Sequence, residues 1–324
     1  LKAALLVGPG VVAVDDIPEP AVGADEVRVA VGGVGLCGSD LSVFSGAWAA
    51  PAYPWVMGHE AFGTIESVGP GVSRDRIGET VVVEPNVACF VCDQCRRGWT
   101  SACTSRQSVG MNRQGALAEL LVVPGRFAWP VSGIGATDLV CVEPTTVVLA
   151  ALRRLRAPLP PSVLVLGVGA QGLLMTLVLL DRGVSVHVHD VNQDRVAFAA
   201  GLGASALNID DDGWHFDLVV DTVGSPASVK VALERLEVGG TLLLLGLDSR
   251  PLDLTAQLLV RRQLLLRGSL TYDHPGDFAS TVALVEGGAF SPGRIVGAAY
   301  PLGDVQAALE RSGSAVGKTW IKLA

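Results

Sequence analysis

The sequence predicts an α/β protein in which a β-rich domain accompanies a doubly wound parallel sheet. Three observations predict it. Up to about Pro130 the chain consists of short apolar runs broken by glycine and proline; from Val147 strand-like apolar runs alternate with helix-like ones; and Gly167-Val168-Gly169-Ala170-Gln171-Gly172 sits where one such strand passes into a helix. At 324 residues the chain exceeds the ~100–200 residues of one ordinary domain, so two domains are expected. The expected division puts 1–144 and 272–324 in one domain and 145–271 in the other.

In the first part the runs 27–31, 61–68, 80–83 and 117–123 read as strands, and the glycines between them suit tight turns. Then 145–155 reads as a helix, 162–166 as a strand, 169–181 as a helix, 184–188 as a strand and 193–202 as a helix. A strand at 218–221, a helix at 226–237 and a strand at 240–246 continue the alternation. Beyond about Leu270 it fades, and a helix at 304–311 leads to a last strand at 318–323, which is expected to return to the first domain.

The glycine motif carries a specific expectation because of where it lies. The first Gly permits the turn, the second lets the backbone approach a pyrophosphate, and the third allows close packing of helix on strand. Gly167, Gly169, Ala170, Gln171 and Gly172 are therefore candidate cofactor contacts at a helix N-terminus, where free N–H groups favour anions. Asp190 follows at about the ~20-residue distance at which an acidic residue accepts ribose hydroxyls. It would repel a 2′-phosphate, and 191–193 contain no arginine to hold one, so NAD is expected over NADP; a solvated Asp ending a strand is the alternative. Arg195, Val223, Leu245 and Leu247 complete the candidate contacts near the carboxyl ends of the strands.

Cys89, Cys92, Cys95 and Cys103 are spaced C-x2-C-x2-C-x7-C. Four thiolates so close can meet at one tetrahedral zinc with no open position, a structural site. Two disulfides in one short loop would suit a small secreted domain instead. Two cysteines remain, each beside other potential ligands: Cys37-Gly38-Ser39-Asp40 precedes Gly58-His59-Glu60, and Cys141-Val142-Glu143-Pro144 comes just before the second domain. Cys, His and Glu can supply three ligands to a zinc with one open position, and Asp40 can accept the other ring N–H of His59.

With these motifs together the chain resembles the zinc-dependent medium-chain dehydrogenase/reductase (alcohol dehydrogenase) family, in kind the sorbitol, polyol and threonine dehydrogenase branch. The resemblance runs from Cys37–Asp40 through the cysteine lobe to Asp190. It implies a partly barrel-like catalytic domain clasping a Rossmann domain, a structural zinc on Cys89, Cys92, Cys95 and Cys103, and a catalytic zinc on Cys37, His59 and a third ligand. That ligand is Glu143 in the family's glutamate version, with Cys141 as competitor, and Glu60 lies near enough to ligate directly or through water. It further implies two zinc ions and NAD, a homodimer or homotetramer, and hydride transfer from a small-molecule secondary alcohol. Ser39 stands where relatives carry a Ser or Thr proton relay, whereas Ser42 replaces the histidine that many use to pass the proton to solvent.

Composition bounds the partners. The formal charge is −8, and no basic run exceeds pairs such as Arg153-Arg154, so nucleic acid is not expected. The most apolar stretches fall short of the ~20 residues of a membrane span, and no charged-then-apolar leader precedes the strand-like start. A reducing cytoplasm is expected. Phe44, Trp48 and Trp55 either wall a substrate pocket or fill a core. Arginine far outnumbers lysine, which suggests a GC-rich genome and, by association, an aminocyclitol dehydrogenase of a biosynthetic pathway. A non-catalytic descendant binding zinc and NAD is the remaining alternative.

Overall fold

Val27, Val29 and Val31 alternate inward along a ten-residue strand, Glu26–Gly35, around which the first part of the computed structural model is arranged. The structure describes residues 1–211 and 213–323. Contacts divide the chain into two compact units, Leu1–Thr146 with Asp273–Ala324, and Val147–Tyr272.

In the first unit one edge of Glu26–Gly35 pairs antiparallel with Glu60–Val68. Its other edge is shared: Leu120–Pro124 lies opposite residues 26–30, and Lys318–Lys322 lies opposite residues 33–35. Register shifts at Arg28/Val29 and Val31/Gly33 bend the strand, as bulges do, and let it serve both partners. The sheet runs on through Thr80–Val83 and Ala128–Pro130 at one end and Val296–Pro301 at the other. A smaller sheet joins Val11–Asp16, Lys2–Gly8 and Trp55–Val56. Buried Val, Leu, Ala and Ile residues from these strands form one core.

In the second unit six parallel strands follow the order Ser205–Ala206, Ser185–His189, Ser162–Leu166, Phe216–Asp221, Leu236–Leu244, Leu265–Gly268. The chain starts at Ser162–Leu166, winds outward to one side, then returns to pair Phe216–Asp221 on the other. This is the Rossmann order, and it puts a topological switch point at the carboxyl end of Ser162–Leu166. Helix Ala170–Asp181 buries residues 172–179 almost completely. No helix among the described residues is long and apolar enough to cross a membrane.

Differences from the sequence expectation have local causes. The helix expected over 226–237 ends at Arg235, because Leu236 already pairs with Phe216 and the Arg262 guanidinium caps the carbonyls of Leu233 and Leu236. The run at 117–123 becomes a strand only at Leu120; Leu117 instead accepts from Ala4 and donates to Met57. Helix Gly276–Glu286 lies where the alternation fades, although its buried Phe278, Thr281, Val282 and Val285 carry the i, i+3, i+4, i+7 spacing.

Gly63 shows how tightly the central strands approach. A Cβ there would overlap the Ala30 carbonyl on the paired strand. Gly63→Ala should therefore cost about 1–3 kcal/mol of stability by overpacking. Thermal unfolding checks it, and an unchanged midpoint would mean that the strands can move apart freely.

Candidate functional site

Asp40 organises the first constellation. Cys37 has extended backbone and caps helix Gly38–Phe44, whose third residue, Asp40, is fully buried. One carboxylate oxygen of Asp40 accepts the Cys37 N–H at 2.9 Å; the other accepts the Gly58 N–H at 3.1 Å and lies 3.4 Å from His59 Nδ1. Gly58 has φ +90, and a Cβ would crowd Leu117 and Val34, so only glycine fits there. Burial opposes the Asp40 charge, but His59 and the two backbone N–H groups outweigh it and hold this carboxyl below its ordinary value. Burial likewise opposes a charged His59, yet Asp40 and then Cys37 raise it well above the usual imidazole range. With Nδ1 toward Asp40, Nε2 is left as the donor.

The structure brings together Cys37, His59 and Glu60, whose ligand atoms all lie within 4.8 Å of one another. Glu60 opens its strand and is 1% exposed; its Oε2 pairs with Lys318, while Oε1 is buried without a hydrogen-bond partner. A thiolate, an imidazole and a carboxylate with an orphaned oxygen fit zinc. Glu143 is buried in the first turn of helix Val142–Arg153, outside that mutually close trio. Cys141 is wholly buried and also outside it, and burial pushes its thiol up to about 12. Ser39 is half-buried in the first turn after Cys37, and the Ser42 hydroxyl donates to the Gly38 carbonyl at 3.1 Å. Phe44 and Trp55 belong to the core, with Trp55 Nε1 donating to Gly110 O, and Trp48 is exposed. Lys318 is a functional candidate that no motif in the sequence marks; it opens the strand Lys318–Lys322 and is buried, whereas Lys322 at the other end is exposed.

The second constellation is local. Cys89, Cys92, Cys95 and Cys103 bring their sulfurs within 4.8 Å of one another, with Cys89–Cys95 at 4.0 Å and Cys92–Cys103 at 3.9 Å. Disulfide sulfurs stand about 2.05 Å apart, whereas tetrahedral zinc at about 2.3 Å spaces its sulfurs by about 3.8 Å. The spacing fits the metal and not the disulfide. Backbone N–H groups of Cys95 and Thr104 hold the Cys92 thiol down to about 5, while burial pushes the Cys95 thiol up to about 12.

In the second unit the glycine turn has the features of an anion cradle. Gly167 has φ +80, and a Cβ on Gly172 would overlap the Gly167 carbonyl. Gly169 differs: a Cβ there would meet nothing within 4 Å, so the space in front of it is open to a ligand. Gly169 also caps helix Ala170–Asp181 without any side-chain acceptor, and the Gln171 side-chain oxygen is buried without a partner. Asp190 is 8% exposed; its two oxygens accept the Val168 and Asn192 N–H groups, each at 2.8 Å. Each oxygen keeps a lone pair for a further donor. Arg195 lies in the first turn of helix Gln193–Gly201, capped by Asn192. Val223 and Leu247 are exposed at the carboxyl ends of two strands, and Leu245 is half-buried beside them. Apolar side chains left open there suit the flat faces of a nucleotide.

Residues 23–133 match the alcohol dehydrogenase GroES-like domain, and residues 170–287 match the zinc-binding dehydrogenase family. Starvation-sensing protein RspB of Escherichia coli K12 is 31% identical over 284 residues, 83% of each chain. Galactitol 1-phosphate 5-dehydrogenase of the same strain is 32% identical over 271 residues, 78% of each chain. Among solved structures, a short chain alcohol dehydrogenase (rspB) from E. coli CFT073, complexed with NADH, superposes with TM-score 0.92 at 27% identity and 99% coverage of both chains.

The cysteine lobe generates a prediction of its own. Cys95→Ser should lower the metal content by about one zinc per chain and lower the thermal midpoint. Metal analysis and a melting curve read both; full zinc content with an unchanged midpoint would remove the metal role of the lobe.

Proposed function

This chain belongs to the zinc-type medium-chain alcohol dehydrogenase family, in its polyol- and threonine-dehydrogenase-like branch, and from that premise we propose that it oxidises a secondary alcohol of the polyol, cyclitol or amino-alcohol class with NAD. The observation that carries the reading is the convergence of Cys37, His59 and Glu60, with one Glu60 oxygen lacking any partner. A purely structural site would present a full ligand set, as the cysteine lobe does.

Cys37, His59 and a carboxylate would hold the catalytic zinc, with Glu60 already in reach; Glu143, buried but outside that trio, would be the second carboxylate. Zinc bound there supplies a Lewis acid that lowers the pKa of a substrate hydroxyl, and NAD supplies the hydride acceptor. Asp40 keeps the His59 ring oriented from the far side. The Ser39 hydroxyl would take the proton outward, and because Ser42 stands where many relatives carry a histidine, the Ser42 hydroxyl would pass it to water. Gly169 and the N–H groups opening helix Ala170–Asp181 would receive the pyrophosphate. Asp190 would accept adenosine ribose hydroxyls and repel a 2′-phosphate, which favours NAD over NADP.

A panel of polyols, cyclitols and amino alcohols with NAD, followed by NADH absorbance, tests the reading, and no turnover across the panel would count against it. Ser39→Ala should lower kcat by about 10²–10⁴-fold with little change in NAD affinity. An unaltered kcat would take Ser39 out of the proton path. Asp190→Ala should weaken NAD binding and raise the relative use of NADP, measured as the ratio of kcat/KM for the two cofactors; a ratio that stays put would detach Asp190 from the ribose.

A further inference from the structure

Two opposite charges are sealed beside the proposed metal centre. Lys318 and Glu60 are each 1% exposed, and the Lys318 ammonium contacts Glu60 Oε2. The same ammonium donates to the Leu36 carbonyl at 3.1 Å. Leu36 directly precedes Cys37, and Glu60 directly follows His59, so one cation reaches both segments that carry the ligands. It comes from the last strand of the sheet, which pairs with Glu26–Gly35. Buried charges persist only when paired, so neither group sits there without the other. The backbone leaves room for the pair: a Cβ at Gly35 would overlap Glu60 Oε2 and crowd Lys318 Cε at 2.8 Å.

We infer that Lys318 is a positioning residue for the metal centre, holding Glu60 by one oxygen and the Leu36 carbonyl at once, and leaving Glu60 Oε1 as the donor beside Cys37 and His59. The charge count agrees. Zinc with the Cys37 thiolate and one carboxylate is neutral, and the Lys318 ammonium offsets one further buried carboxylate. The inference rests on the metal site proposed above and does not depend on dehydrogenase activity.

Lys318→Met removes the charge at nearly constant length. Full-length variant and wild type are loaded with zinc and titrated with a chelator of known affinity, and the cobalt-loaded forms are compared by visible absorption. Wild type should hold two metals per chain, and the variant should keep the cysteine-lobe metal while binding the second roughly 10–100-fold more weakly, with an altered cobalt spectrum. In a Glu60→Gln background the same lysine change should add little further loss, because the group it positions is gone. A folded Lys318→Met protein with wild-type affinity and spectrum, or an equal added loss on Glu60→Gln, overturns the assignment. Gly35→Ala keeps both charges but forces the pair apart, and it should weaken the second metal likewise; if Lys318→Met does not fold, wild-type binding by Gly35→Ala overturns the inference instead. A wild type holding a single metal would remove the proposed catalytic centre itself, and the role of Lys318 with it.

Discussion

The buried carboxylate of Asp40 is the interaction on which the metal centre depends. Its two oxygens hold the backbone at Cys37 and at Gly58 and approach the His59 ring, so segments separated by some twenty residues meet through one side chain. Each of these contacts is stronger for involving a charge and for lying away from water. Gly58, at φ +90, bends the chain so that His59 can turn back toward that carboxylate. Without the anion at Asp40, the Cys37 and Gly58 N–H groups would be left with no acceptor.

Around it, charge is arranged in alternating sign. Asp40 faces His59, Glu60 faces Lys318, and the Cys37 thiol lies between the two pairs. Buried polar groups set against partners of opposite sign in low-dielectric surroundings are held in a single arrangement. Lys318 stays charged because Glu60 and Cys37 outweigh its burial. At Cys141 burial outweighs the attraction of Lys318, and the thiol is pushed up to about 12.

The two cysteine-containing sites differ in how they are assembled. Cys89 to Cys103 lie in one loop, close to one another in sequence, and their sulfurs already stand at zinc spacing. Little chain has to be closed to form that cluster. Cys37, His59 and Glu60 come from a helix start and a strand start, and Lys318 comes from the far end of the chain. Their meeting requires the central sheet, including the paired Lys318–Lys322 strand. The four-cysteine cluster thus forms locally, whereas the Cys37–His59–Glu60 cluster is made by the fold.

By itself the sequence determined what is local. The glycine turn, the strands at 80–83 and 162–166, the helix following Gly169 and the four-cysteine spacing all follow from short-range pattern, because turn sterics, side-chain period and ligand spacing act within a few residues. It also supplied Cys37, Asp40 and His59 as a set, since ligand chemistry needs those types. Tertiary structure brought Glu60 to the Cys37 segment: Glu60 and Glu143 offer the same chemistry, and the pairing of Gly35 with Glu60 sets a Glu60 oxygen within 4.8 Å of the Cys37 and His59 ligand atoms. It likewise paired Lys318 with Glu60 and put Phe44 and Trp55 in the core. The end of the helix at Arg235 was set by the pairing of Leu236 with Phe216 and by a cap from Arg262. In each case the deciding partner is remote in sequence, and no local period or spacing encodes the distance to it.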